Sequence, residues 1–84
     1  MNEDHFLLSG IKEPEKLEAC FASEFVDVAY ATPLADGKVR IEVEASTNLR
    51  NPDDLAWILR MFADALKING ETSTSIEVIY APAQ

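Results

Sequence analysis

The chain has 84 residues and a formal net charge of -8, because 15 Asp and Glu residues oppose 7 Lys and Arg residues. This length has room for one small domain, and 48% hydrophobic with 26% charged residues is typical of a folded globular protein. The acidity counts against direct binding of nucleic acid, for which basic side chains must displace counterions, and against docking on anionic lipid. It is compatible with a basic protein partner.

The residue inventory argues against several kinds of site. Cys20 and His5 are the only cysteine and the only histidine, so an intramolecular disulfide is impossible and a zinc site or Cys-His catalysis is not expected. The three glycines stand apart and form no phosphate-binding loop. No apolar run approaches the roughly 20 residues of a membrane span, and the acidic N-terminus lacks the basic start of a signal peptide. We therefore expect a cytoplasmic protein without a bound metal or cofactor.

The first quarter of the chain predicts a strand and a helix. A short apolar run at residues 6–8 precedes Ser9-Gly10 and is consistent with a first strand. Pro14 suits the first turn of a helix, and three apolar residues at helical spacing predict its core-facing stripe: Leu17, Cys20 and Phe21. The helix should end near Ser23 or Glu24.

Two alternating segments follow and predict a hairpin around the turn signal Asp36-Gly37. In residues 26–31 the predicted core face holds Val26, Val28 and Tyr30, and the other face holds Asp27, Ala29 and Ala31. In residues 38–45 the predicted core face holds Val39, Ile41, Val43 and Ala45, and the other face holds Lys38, Arg40, Glu42 and Glu44. A shift of this second strand by one residue would bury four charges, so its register should be firm.

The second half of the chain predicts a helix and a last strand. Asn51 is the expected N-cap and Pro52 the first helical residue, and the periodicity continues to Lys67 before the stop signal Asn69-Gly70. Residues 72–81 are rich in β-branched residues and alternate as a strand. The order βαββαβ predicts that residues 1–84 form a single α+β domain of ferredoxin-like order, with two helices on one face of a four-stranded antiparallel sheet. This architecture implies no particular function.

The second predicted helix has two apolar faces. Five residues within an arc of about 100° are predicted to face the sheet: Leu55, Ile58, Leu59, Phe62 and Leu66. A second cluster lies on nearly the opposite side, flanked by Asp53, Arg60, Asp64 and Lys67, and consists of Trp57, Met61 and Ile68. Either a neighbouring segment covers this second face or another protein does, since Trp and Met framed by Arg are typical of an interface core.

The uncovered face of the sheet is predicted to be polar. Its expected residues are Asp27, Ala29, Lys38, Arg40, Glu42, Glu44, Glu77 and Ile79, with Leu7 near the centre. RNA-binding modules of this topology stack bases on aromatic side chains at this face, and none of these residues is aromatic, so RNA recognition is not expected. Either the face is solvated and carries ion pairs such as Arg40 with a neighbouring carboxylate, or its small residues allow sheets to pack in a dimer.

The carboxylates suggest binding rather than catalysis. Asp53 and Asp54 are explained by the start of the helix, and no carboxylate pair comes with a nucleophile or base, so we do not expect an enzyme. Spaced carboxylates can present a field comparable to that of DNA to a basic groove. The candidates for such mimicry are Glu13, Glu15, Glu18, Asp27, Glu42, Glu44, Asp53, Asp54 and Asp64. The alternative is that this charge only keeps a small domain soluble.

These observations lead to one functional hypothesis and three alternatives. The hypothesis is a non-catalytic protein-binding module, most concretely a small acidic inhibitor of the phage anti-CRISPR or DNA-mimic type that blocks a basic nucleic-acid-binding protein. Its predicted partner-binding residues, with an apolar anchor and carboxylates that steer association, are Trp57, Met61, Ile68, Arg60, Asp64, Asp27, Glu42, Glu44, Asp53 and Asp54. The alternatives are a homodimeric structural or regulatory subunit, an antitoxin or immunity-type protein that neutralises a basic toxin, and a small enzyme completed by a partner chain.

Overall fold

A computed structural model describes residues 3–82 of the chain, which form two helices and a four-stranded sheet. The elements in chain order are β1 (His5–Ser9), α1 (Pro14–Glu24), β2 (Ala29–Pro33), β3 (Val39–Val43), α2 (Pro52–Ile68) and β4 (Ser75–Ile79). Every strand pairing is antiparallel, and the strand order is β2-β3-β1-β4. The predicted α+β fold with βαββαβ order is therefore confirmed.

The core lies between the helices and one face of the sheet, and it is centred on Phe62 of α2. The rings of Phe6 and Phe21 meet the ring of Phe62 edge to face, with centroid distances of 4.7 and 5.6 Å. The predicted alternation is confirmed for Val39, Ile41 and Val43, which are buried in this core. Ala45, which was predicted on the same face, lies beyond the end of β3 and is exposed. Leu7 of β1 lies on the opposite face between Arg40 and Glu77, as predicted.

The end of α2 has the geometry that its sequence predicts. Gly70 has a φ of +72°, and its N–H donates to the carbonyl of Lys67 at 3.1 Å. The N–H of Glu71 donates to the carbonyl of Leu66 at 2.9 Å. These two bonds are those of a Schellman motif, which satisfies carbonyls that have no partner within the helix.

The strand β2 differs from its predicted position and orientation. After α1 the chain turns, and the N–H groups of Val28 and Ala29 both donate to the carbonyl of Phe25, at 2.9 and 3.0 Å. This turn uses residues that the alternating pattern assigns to the strand. Ala29 and Ala31 therefore face the core and Tyr30 the uncovered face, which is the reverse of the prediction. Small side chains fit on this side of β2 because α1 packs against it.

Gly10, directly after β1, occupies a position that tolerates no side chain. Its φ is +78°, and a Cβ atom there would collide with the carbonyl oxygen of Ser73. Gly70 has a similar φ but open space around it. We expect Gly10→Ala to lower the free energy of unfolding by about 3 kcal/mol and Gly70→Ala by about 1 kcal/mol, since the left-handed conformation alone costs about 1–2 kcal/mol. Urea unfolding would measure both losses, and equal values would contradict a role for the Ser73 contact.

Candidate functional site: an acidic end with two grooves

The charged residues are distributed unevenly between the two ends of the sheet. The end at which β1, β2 and α2 begin and β3 ends is called the acidic end. It carries eight carboxylates and two arginines, because the guanidinium of Arg40 contacts Glu42, and hence six of the eight surplus negative charges: Glu3, Asp4, Glu24, Asp27, Glu42, Glu44, Asp53, Asp54, Arg40 and Arg50. The opposite end is balanced, with Lys12, Lys16, Lys38, Lys67, Glu13, Glu15, Asp36 and Glu71. The surplus charge is therefore localised.

Asp4 and Arg50 hold three segments of the acidic end together. Oδ1 of Asp4 accepts a hydrogen bond from the N–H of Ala81 at 2.7 Å, and its Oδ2 accepts one from Nε of Arg50 at 3.2 Å. Nη2 of Arg50 donates to the carbonyl of Ala81 at 2.9 Å, and its guanidinium lies 4.9 Å from the centroid of the Tyr80 ring. Arg50 is thus already bound to Asp4, Ala81 and Tyr80.

The contacts of Asp4 predict a pH-dependent contribution to stability. The bond from Ala81, followed by that from Arg50, holds the pKa of Asp4 below its ordinary value of 3.8. The folded state therefore binds this proton less tightly than the unfolded chain does. The contribution is fully present above about pH 4 and is lost as the pH falls through the lower folded pKa. Urea unfolding from about pH 6 to about pH 2 should show a steeper loss for the wild type than for Asp4→Asn. Identical slopes would contradict this role of Asp4.

Asp53 and Asp54 lie in the first turn of α2, where the sequence predicts them. Oδ1 of Asn51 accepts hydrogen bonds from the N–H groups of Asp53 and Asp54 at 2.9 and 3.4 Å, which confirms the N-cap. Oδ2 of Asp54 accepts a hydrogen bond from the N–H of Asn48 at 2.9 Å. The carboxylate of Asp54 is therefore engaged by the preceding loop, while Asp53 is exposed.

Three predicted partner-binding carboxylates lie together in a groove at the acidic end. This acidic groove has a volume of about 440 Å³, and its carboxylates are Asp27, Glu42 and Glu44. Its apolar surface includes Val26 and Tyr30, whose exposed fractions are 69% and 59%. The hydrogen bond from the N–H of Glu44 to the carbonyl of Val28, 2.9 Å long, joins the two chain segments that form this groove.

Local contacts orient two of these carboxylates. Nε and Nη2 of Arg40 both contact Oε1 of Glu42 at 3.1 Å, which confirms the predicted pairing of Arg40 with a neighbouring carboxylate. Oε2 of Glu44 accepts hydrogen bonds from the hydroxyl and the N–H of Ser46, and these bonds hold the pKa of Glu44 below its ordinary value. Glu44 therefore stays ionised at neutral pH without a basic side chain beside it.

A second groove lies between α1 and β2, on the helix side of the same strand. This alanine groove has a volume of about 380 Å³, and its walls include Ala19, Ala22, Ala29 and Ala31. Phe21 also lines it, and Glu18 is its carboxylate. Both grooves share Val26, Ala29 and Tyr30. Strand β2 thus has one groove on each side, and the acidic groove adjoins its first residues.

The second apolar face of α2 differs from the prediction in one residue. Trp57 and Ile68 are exposed, by 49% and 71%, but Met61 is 9% exposed and packs in the core. The buried arc of α2 is wider than the predicted stripe and reaches Met61, a flexible side chain that fills gaps at the margin of a core. Arg60 and Asp64 are exposed. No residue of α2 lines either groove, so the structure separates this face from Asp27, Glu42 and Glu44.

The other candidates for mimicry do not join the acidic end. Glu13 and Glu15 lie at the opposite end, among the lysines, and Asp64 lies on α2. Sequence reasoning missed Val26 and Tyr30 as exposed groove residues and Glu24 as an acidic-end residue. The signal that could have found Glu24 is the absence of a basic residue in the last turn of α1.

Comparison of the chain with protein-family models found no match, and comparisons with curated proteins and with solved structures found no significant match. Within residues 3–82, no three His, Cys, Asp or Glu side chains are grouped so that they could hold a metal ion. Neither α1 nor α2 has the length and apolar character needed to cross a membrane. The acidic end and its two grooves are therefore the candidate functional site of this chain.

Proposed function

We propose that this chain is a non-catalytic protein-binding domain that receives a basic partner at its acidic end. The observation that carries the proposal is the concentration of six of the eight surplus negative charges at one end of the fold, where a groove lined by Asp27, Glu42 and Glu44 also exposes Val26 and Tyr30. Apolar side chains at the centre of an interface supply affinity, and surrounding charges of one sign steer association and select the partner.

The end of α1 supports this proposal. Glu24 is the last residue of the helix, and the last turn has no basic residue. A helix C-terminus carries partial negative charge and favours cations, so this placement costs about 0.3–1 kcal/mol of stability. The same placement strengthens the negative potential beside the acidic groove. Binding of a basic partner accounts for the negative charge of Glu24, which destabilises the end of α1.

The most concrete form of the proposal is inhibition of a basic nucleic-acid-binding protein. Such a protein binds phosphates through Lys and Arg, and clustered carboxylates compete with nucleic acid for the same side chains. An antitoxin or immunity-type protein that neutralises a basic toxin would use the same surface. The two forms differ in the activity that the partner loses when it binds this chain. An inhibitor abolishes the partner's binding of nucleic acid, whereas an antitoxin abolishes its toxicity.

A second candidate function depends on α2. Trp57 and Ile68 are both exposed large apolar side chains on one side of this helix, and Trp is among the residues that most often dominate interfaces. A homodimeric structural or regulatory subunit would bury this face in its dimer. Sedimentation of the wild type and of Trp57→Ala tests this alternative, which requires a dimeric wild type and a monomeric variant.

The main proposal is tested with two double variants that change the net charge equally. Glu24→Lys with Asp27→Lys alters the acidic end, and Glu15→Lys with Glu77→Lys alters exposed carboxylates elsewhere. Wild type and variants are immobilised, and proteins retained from a lysate are eluted with salt and identified. A basic protein should be retained by the wild type and by the control variant but not by the acidic-end variant, because its binding depends on local charge.

A purified partner then decides between the forms of the proposal. The affinity of the retained protein for nucleic acid is measured with and without an equimolar amount of the wild-type chain. Inhibition by the wild type and by the control variant, but not by the acidic-end variant, supports the inhibitor. Equal retention by both double variants would contradict the proposal, because total charge rather than the acidic end would then govern binding.

A further inference from the structure

The two edges of the sheet differ in how far they are covered. At the β2 edge, Ala29 and Ala31 are 6% and 2% exposed, because α1 packs against this strand. At the β4 edge, Ile76 is 37% exposed, and Ser75 and Glu77 are also exposed. Among the described elements, only β1 runs alongside β4. The outer side of β4 is therefore the open edge of the sheet.

The register of the sheet identifies the backbone groups of β4 that face outwards. The N–H of Glu44 donates to the carbonyl of Val28, its direct partner in the β2–β3 register, at 2.9 Å. Bonding alternates between the two sides of each strand, so the odd-numbered residues of β3 bond to β1 and the odd-numbered residues of β1 bond to β4. The backbone groups of Thr74, Ile76 and Val78 therefore face away from β1. No described turn or cap bonds to them.

The side chains of this edge divide between the two faces of the sheet. Ile76 and Val78 point to the core side, whereas Ser75 and Glu77 point to the uncovered face. Residues 74–80 contain no Lys or Pro, the residues that commonly block pairing at an edge strand. The edge therefore offers free backbone groups between an apolar and a polar row of side chains.

We propose that a second copy of this chain pairs with this edge, so that two β4 strands lie antiparallel about a two-fold axis at Ile76 and the two sheets become continuous. Ile76 then faces Ile76 of the other copy, and Thr74 faces Val78. Each facing pair exchanges two hydrogen bonds, and apolar side chains meet on the core side. On the uncovered face, the hydroxyl of Ser75 lies opposite Glu77 of the other copy and can donate to its carboxylate.

Other registers of the same two strands are less favourable. A two-fold axis at Glu77 places the two Glu77 carboxylates directly opposite each other, which destabilises a strand pair. An axis at Val78 brings Thr74 opposite Pro82, which has no N–H to donate. The axis at Ile76 avoids both defects.

The charge distribution favours a second copy as the occupant. Strand β4 begins at the balanced end of the sheet and runs towards the acidic end. Antiparallel strands joined at Ile76 therefore place the two acidic ends far apart, and exposed charges more than about 10 Å apart are largely screened at about 0.1 M salt. A basic peptide segment has less reason to bind here, because Glu77 is the one carboxylate of β4.

The size of the contact predicts a weak dimer. The overlap of residues 74–78 extends over about 17 Å of strand, and such a contact buries less than the about 800 Å² per partner of a standard interface. We therefore expect a reversible dimer with a dissociation constant of about 0.1 mM. The dimer leaves both acidic grooves free and presents them at opposite ends to a partner with two basic sites.

Sedimentation equilibrium of the full chain from about 10 μM to about 1 mM tests this dimer. The wild type should pass from monomer to dimer, and Ile76→Lys should stay monomeric, because a lysine at an edge strand opposes pairing. The matched control is Ile68→Lys, the same change at a 71% exposed residue of α2, and it should dimerise like the wild type. A wild type that is monomeric throughout would overturn the proposal. A dimer lost in Ile68→Lys but kept in Ile76→Lys would also overturn it and identify α2 as the interface.

Disulfide cross-linking tests the register in variants that keep Ile76. Ser75→Cys and Glu77→Cys are each made together with Cys20→Ser, so that every chain has one thiol. In the proposed register residues 75 and 77 of the two copies face each other with Cα atoms about 4.5 Å apart, within reach of a disulfide. Air oxidation of an equimolar mixture should give about tenfold more mixed disulfide than either symmetric one. A random mixture, or a dominant symmetric disulfide of Glu77→Cys, would overturn this arrangement.

Dilution of the wild-type chain gives a readout without any substitution. The amide NMR signals of Ile76 and Val78 should shift as the dimer dissociates, because their N–H groups lose a hydrogen bond. The signal of Ala31, at the covered edge, should not shift. Unchanged signals of Ile76 and Val78 would contradict pairing through β4.

The dimer does not depend on the proposed function, and the two are tested separately. The double variant Glu24→Lys with Asp27→Lys should dimerise like the wild type, because neither residue lies on β4. Ile76→Lys should retain a basic partner as the wild type does. Loss of the dimer in the double variant would show that the acidic end forms the contact and would overturn pairing through β4.

Discussion

Phe62→Ala is expected to lower the free energy of unfolding by about 4 kcal/mol, because truncating a buried Phe to Ala costs about 3–5 kcal/mol. Phe62 is fully buried, and the rings of Phe6 and Phe21 contact it edge to face. A domain of this length has a total free energy of unfolding of about 4–13 kcal/mol. The variant should therefore lose at least about a third of the stability of the domain.

Trp57→Ala is the matched control for Phe62→Ala. It removes a larger ring, but that ring is 49% exposed, so we expect a loss of less than about 1 kcal/mol. Urea unfolding followed by far-UV circular dichroism measures both variants, since the control lacks the chain's one tryptophan. Similar losses in the two variants would contradict the placement of Phe62 at the centre of the core and Trp57 outside it.

Glu71→Ala should lower the free energy of unfolding by about 3 kcal/mol. Glu71 is buried between the end of α2 and the start of α1. Its Oε1 accepts a hydrogen bond from the N–H of Lys12 at 2.9 Å, and its Oε2 accepts one from the N–H of Glu13 at 3.1 Å. Alanine would leave both partly buried N–H groups without their acceptor, and an unsatisfied buried donor costs about 1–3 kcal/mol.

Two controls and a local measurement test the role of Glu71. Glu71→Gln keeps one oxygen acceptor and should lose about half as much stability as Glu71→Ala. Glu77→Ala, on an exposed residue of β4, should stay within about 0.5 kcal/mol of the wild type. Amide exchange at Lys12 and Glu13 should accelerate in Glu71→Ala beyond the change in global stability. Unaltered exchange at these two amides would show that the carboxylate does not hold them.

The elements with unambiguous local patterns are predictable from the sequence. In β3, charged and apolar residues alternate without exception, so only one register keeps Arg40 and Glu42 out of the core. In α2, Asn51 and Gly70 specify the two ends through hydrogen bonds within a few residues. These contacts are short in sequence, and the chain itself brings their partners together.

The orientation of β2 is not predictable in the same way. Residues 26–31 carry apolar side chains on both faces, so a period of two fits either orientation equally well. The orientation of β2 is fixed by two tertiary features. The helix α1 packs against the side of β2 that bears Ala29 and Ala31, and the carbonyl of Phe25 closes the turn before the strand. The exposed position of Tyr30 follows from that packing. Met61 is a similar case, since the width of the buried arc of α2 depends on its neighbours in space.

The candidate site is predictable only in part. The clear pattern of β3 predicts that Glu42 and Glu44 face outwards, and the alternation of residues 26–31 predicts the same for Asp27. Their assembly in one groove requires the pairing of Val28 with Glu44, which joins segments that are distant in the chain.

Local sequence patterns specify the order of the elements, the ends of α2 and the faces of β3, and the composition specifies the net charge of -8. Each of these depends on composition or on residues a few positions apart. Tertiary packing, in contrast, places six of the eight surplus charges at one end of the fold and buries Ala29 and Ala31 of β2. Both depend on which distant segments pack and pair, and hydrophobic burial makes that choice over the whole chain.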